Sequence, residues 1–81
     1  MLPEQILTCA LDIGEQMLIS GAEVGRVEDS LRHICTAYGC RRTDVFTITS
    51  SIVLSLEDAE GNHGTQTRRI TGTKTNLTRL H

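Results

Sequence analysis

The hydrophobic pattern changes period once along the chain, at Cys40-Arg41-Arg42, and that change does most to limit what the chain can fold into. Before it, apolar residues recur at the three-and-four spacing of a helix. After it they alternate, as in a strand with one buried face. Helices first and strands afterwards give an α+β domain.

The helical half divides in two. From Pro3 to Ser20, Ile6, Leu7, Ala10, Leu11, Ile13, Gly14, Met17 and Leu18 fall on one arc of roughly 160° at the helical repeat. Pro3 suits a first turn, where its missing N–H would be unpaired anyway. An arc this wide predicts packing on two elements at once. Gly14 lies within it and costs about 1 kcal/mol of helix propensity relative to Ala, which predicts close approach of another backbone. Gly21 suits the left-handed position that ends a helix. The second helix is expected from about Glu23 to Tyr38, with Val24, Val27, Leu31, Ile34, Cys35 and Tyr38 on a stripe of roughly 100°. Glu23, Glu28 and Asp29 fall toward its positive end. Gly39 closes it as Gly21 closes the first. So short a joint makes the pair an antiparallel helical hairpin.

The second half predicts three strands. Asp44–Thr49 and Ile52–Leu56 are β-branched and alternating, with Ile52, Leu54 and Leu56 on the buried face and Ser50-Ser51 between them. Asp58–Gly64 is a loop by composition. Thr65–Ile70 is polar and so an edge. A polar connector, Thr71–Thr75, then leads to Asn76, which can cap a helix starting at Leu77. The expected fold is a helical hairpin packed on a three-stranded, mostly antiparallel sheet, with the start of a further helix at the C-terminus. The threonines of this half read as β propensity on a solvated face.

Length and charge narrow the function. A chain of 81 residues makes one domain, 1–81, with a thin core. Aromatic side chains are confined to Tyr38 and Phe46. A net charge of −2 argues against a nucleic-acid partner. Arg41-Arg42 and Arg68-Arg69 read as solvated pairs. No apolar run reaches the ~20 residues of a membrane span. Cys9, Cys35 and Cys40 make no metal signature, and Cys35 reads as a small core residue. No catalytic set, metal site or cofactor is expected. Asp29 and His33 lie one helical turn apart, the base half of a nucleophile–His–acid arrangement, but no nucleophile elbow accompanies them. Glu28 and Asp29 point about 100° apart and cannot share a metal unaided.

One further signal lies in the words of the sequence. The run from Leu11 to Leu31, with Ser20-Gly21-Ala22-Glu23 and Arg26-Val27-Glu28-Asp29 at its heart, resembles the start of the threonine/serine exporter family. Asp44-Val45-Phe46 with the apolar strand after it, Arg68-Arg69-Ile70, and Asn76-Leu77 follow in the family's order. The resemblance spans roughly residues 7–80. It implies a cytoplasmic N-terminal domain, read here as truncated, preceding a membrane-embedded transporter domain that is its partner. The exported cargo would be a small hydrophilic metabolite: threonine or serine, or in relatives a dicarboxylate. The full-length protein would lie in the cell membrane with this portion on the cytoplasmic side, and this portion would not transport alone. Glu23, Arg26, Glu28, Asp29 and His33 are the candidates for contacts with a ligand or the missing domain. The alternatives are a small hydrolase-like domain using Asp29 and His33, and an oligomerisation module built on the wide arc of the first helix, making a homo-oligomer.

Overall fold

The computed structural model describes residues 2–48 and 50–71. The expected helix at Leu77 lies outside them. The order is α1 (Pro3–Ile19), α2 (Val24–Ala37), β1 (Arg42–Ile48), β2 (Ser51–Glu57) and β3 (His63–Arg69). The strands form one antiparallel sheet in the order β1-β2-β3. The α+β architecture is the expected one, with each strand a residue or two longer or shifted. Ile48 pairs with Ser51, so Ser51 belongs to β2 rather than to the turn.

Both helices end by the same device. Gly21 and Gly39 take positive φ values of 95° and 85°. The N–H of Ala22 then donates to the carbonyl of Met17 at 2.9 Å, and that of Cys40 to Cys35 at 3.1 Å. Gly21 and Gly39 donate in turn to Leu18 and Thr36. This is the Schellman closure, which satisfies carbonyls a helix end leaves orphaned. At the other end of α1, Gln5 Oε1 accepts the Leu2 N–H at 2.9 Å.

The core lies between the helices and one face of the sheet. Ile6, Leu7, Ala10, Leu11 and Leu18 of α1 meet Val27, Leu31 and Cys35 of α2 and Ile52, Leu54 and Leu56 of β2. Each large side chain buried here stabilises the fold by about 1.5–3 kcal/mol relative to exposure. Helix α1 packs on α2, β2 and β3, as its wide arc requires, while α2 packs on α1 and β1. The arc is narrower than its sequence, because Ile13 is 42% exposed. Tyr38 likewise falls off the α2 stripe and is exposed. Gly14 is where the helix comes closest to its neighbours, but what crowds it is side chain. A Cβ there would stand 3.0 Å from Ile52 Cδ1 and 3.3 Å from Leu31 Cδ2.

Alternation places Arg42, Asp44, Phe46 and Ile48 of β1 on the sheet face away from the helices, with Val53 and Ser55 of β2 and Thr65 and Thr67 of β3. Phe46 is 64% exposed there. Thr47, by contrast, points inward and is buried, and its Oγ1 has no hydrogen-bond partner among the described residues. The threonines are therefore divided between the two faces rather than gathered on the solvated one.

The β2–β3 loop is organised by Asp58, which is 4% exposed. Its Oδ1 accepts the N–H groups of Glu60 and Asn62 at 2.9 and 2.8 Å, and its Oδ2 accepts the Asn62 side chain at 3.2 Å. Burial alone would raise the carboxyl's pKa. The bonds from Asn62 and Glu60 outweigh that and hold it below the ordinary aspartate range.

Candidate functional site

The five polar residues singled out by sequence all sit on α2 or at its N-cap, and the fold divides them. Successive helical residues point about 100° apart. Glu28 therefore flanks the buried stripe on the side toward β1, and Asp29 faces away from it.

Glu28 is tied to the sheet. Its Oε2 accepts the backbone N–H of Thr47 at 3.0 Å, and its Oε1 lies 3.8 Å from Arg32 Nη2. Thr47 belongs to β1, an edge strand, and its N–H has no strand partner on that side. Glu28 thus covers a donor that would otherwise invite another chain to pair. Its side chain is only 23% exposed.

Glu23, Arg26, Asp29 and His33 lie together on the opposite side. With Gly25 and Ser30 they line one open polar groove along α2. Glu23 is the N-cap of the helix in extended conformation, but its side chain makes no capping bond. No acidic residue occupies the first turn proper, so the dipole reading rests on Glu23 alone. Asp29 Oδ1 accepts from Arg32 Nη1 at 3.2 Å, an exposed i,i+3 pair. Among the described residues no hydrogen bond joins Asp29 to His33, and none joins Ser30 to either. The carboxylate that would orient an imidazole base is engaged elsewhere, and the constellation lacks the bonds that acid–base catalysis builds on.

What the groove offers is charge of both signs on a rigid helix. Arg26 carries a forked guanidinium suited to a carboxylate, and it has no ion-pair partner among the described residues. The carboxylates of Glu23 and Asp29 flank it. A groove of this kind can bind a small zwitterion or the charged face of another domain. Gly25 borders open space, since nothing lies within 4 Å of the position a Cβ would take, so the groove does not depend on glycine there. Ser30 and Gly25 are groove residues that sequence reasoning passed over. Ser30 was legible, one turn on from Arg26.

Around the joint lies a second, mainly apolar groove, lined by Ile13, Gln16, Met17, Ser20, Gly21 and Ala22 with Asp12 at its edge. Exposed Ile13 contributes to it. Nearby, Arg68 of β3 points inward and donates from Nη1 to Asp12 Oδ1 at 2.8 Å and to Glu15 Oε1 at 2.7 Å. These bonds, Asp12 first and then Glu15, raise its pKa further and fix it as a cation. Arg68 is therefore no solvated surface arginine. It ties β3 to α1, and its inward charge also discourages pairing on the β3 edge.

No group of His, Cys, Asp and Glu among the described residues could hold a metal ion. No helix among them is long and apolar enough to cross a membrane. Compared with known proteins, residues 8–81 match a family model described as "Putative threonine/serine exporter". No curated protein and no solved structure gives a significant match.

Proposed function

The chain belongs to the threonine/serine exporter family, and from that premise we propose that it is the cytoplasmic N-terminal domain of a membrane exporter of small hydrophilic metabolites. The observation that carries this reading is the family match over residues 8–81, in a chain whose described helices are too short or too polar to span a bilayer. The export step then belongs to a membrane-embedded partner domain. Threonine and serine are the cargo the family's description names, and dicarboxylates are the wider class.

In this reading the groove of Glu23, Arg26, Asp29 and His33 is the domain's contact with that partner or with the cargo. Support comes from its geometry: four polar side chains on a rigid helix, open to solvent, none of them used to hold the core. Glu28 is set apart from the group because its carboxylate is committed to β1.

The test is a coding sequence and an export assay. The reading frame past His81 should contain several apolar runs of about 20 residues each. Cells carrying the full-length protein should release threonine, and deletion of residues 1–71 should abolish release while leaving the membrane part in place. A reading frame with no apolar runs, or undiminished export after the deletion, would contradict the proposal.

A further inference from the structure

The Schellman closure of α2 places two thiols side by side. Cys35 is the third residue from the end of the helix and Cys40 the second residue past its cap, the two positions whose side chains meet in this motif. The backbone holds them there: the Cys40 N–H bonds the Cys35 carbonyl at 3.1 Å, and Gly39 between them has a φ of 85°. A bond of that span keeps the Cα atoms near the ~4.4–6.8 Å that a disulfide bridges. Both thiols are free, and each lies within range to interact with the other. Cys9, on α1, has Tyr38 Oη beside it at 4.0 Å.

We propose that Cys35 and Cys40 are a redox modification site, closing to an intramolecular disulfide when a peroxide is the oxidant. Their exposures set the order of events. Cys35 is wholly buried, whereas Cys40 is half-buried. The Cys40 sulfur attacks the peroxide oxygen, the O–O bond breaks, and one water leaves as a sulfenic acid forms. The Cys35 sulfur then attacks the Cys40 sulfur. The S–O bond breaks, the Cys35 proton departs with the hydroxyl as a second water, and the S–S bond is made. Two thiols have given two electrons to one peroxide. Burial pushes the Cys35 thiol up to about 11 and raises Cys40 as well. Access to solvent rather than acidity therefore makes Cys40 the first to meet the peroxide and leaves Cys35 the resolving role. The new bond locks the junction through which α2 passes into β1.

Trypsin makes the test direct, because cleavage after Arg32 and Arg41 releases both cysteines on one peptide, His33–Arg41, free of Cys9. The folded 81-residue chain is treated with hydrogen peroxide, remaining thiols are alkylated, and the digest is weighed. The expected product is this peptide unalkylated and lighter by about 2 Da than its dithiol, a change reversed by a dithiol reductant. Cys9→Ser should leave that product intact and Cys40→Ser should abolish it. A peptide that remains a fully alkylated dithiol, or one linked to Cys9 or to a second chain, would overturn the proposal. The wild-type measurement decides even if the Cys40 variant fails to fold.

Discussion

Helix α2 presents two sides that share a backbone and little else. Toward α1 and β1 it places Val27, Leu31 and Cys35, all fully buried, and on the flank of that stripe the carboxylate of Glu28 caps the edge of β1. On the other side Glu23, Arg26, Asp29 and His33 line an open groove, where Asp29 pairs with Arg32. Glu28 and Asp29 are adjacent and chemically alike, yet one is bonded into the sheet and the other is exposed and pairs with Arg32 of its own helix. The difference teaches that charge density in a sequence does not separate these roles. Angular position relative to the buried stripe does.

The sharpest way to break the comparison is to cut the buried side. Leu31→Ala should lower the stability of the folded chain by about 3 kcal/mol, read as a fall in the urea midpoint. Leu31 is fully buried and is among the side chains closest to Gly14. Glu28→Ala comes next, with an expected loss of about 1.5–2 kcal/mol, the magnitude of a hydrogen bond to a charged group. Arg26→Ala should leave the midpoint within about 0.5 kcal/mol of wild type. Equal effects of Glu28→Ala and Arg26→Ala would erase the distinction between the two sides.

Two smaller effects sharpen it from the sheet. Thr47→Val keeps the shape of the side chain and removes a buried hydroxyl that lacks a partner among the described residues, so it should stabilise the chain by about 1 kcal/mol. A loss of stability would mean that the hydroxyl has a use. Asp58 supplies a pH signature. Its pKa is depressed in the folded chain, so its contribution is present in full above the unfolded aspartate range. That contribution is lost as pH falls through the depressed folded value. Urea midpoints should accordingly drop on acidification below the ordinary carboxylate range, and Asp58→Asn should flatten that part of the profile. An unchanged slope in the variant would show that other carboxylates carry it.

Much of this fold is legible in the sequence. The 3.6-residue and two-residue periods defined five elements, and Gly21 and Gly39 marked both helix ends, because left-handed backbone has few tenants. What sequence hid were the long-range polar bonds. Nothing local announces that Arg68 reaches back to Asp12 and Glu15, since the three are brought together only when β3 lies along α1. Read from composition, Arg68 looked like its solvated neighbour Arg69; alternation along β3 turns one in and the other out. By angle Ile13 and Tyr38 belong to buried arcs, but Ile13 lies at the margin of its arc. Tyr38 is the C-cap, past the last residue of α2, where the neighbouring element no longer covers it. Glu28 could have been separated from the other four, because it falls within about 20° of Cys35 around the helix. Its partner, an unpaired N–H on a strand edge, is visible only in the fold.

The central claim is that the open side of α2 serves export and the buried side serves the fold. Threonine release from cells carrying the full-length protein with Arg26→Ala, set beside the urea midpoint of the same variant of this chain, tests it most directly. The account predicts that release falls on the order of tenfold, the equivalent of one lost charged hydrogen bond, with the midpoint unmoved. Release at the wild-type rate, or a fall matched by lost stability, would contradict it.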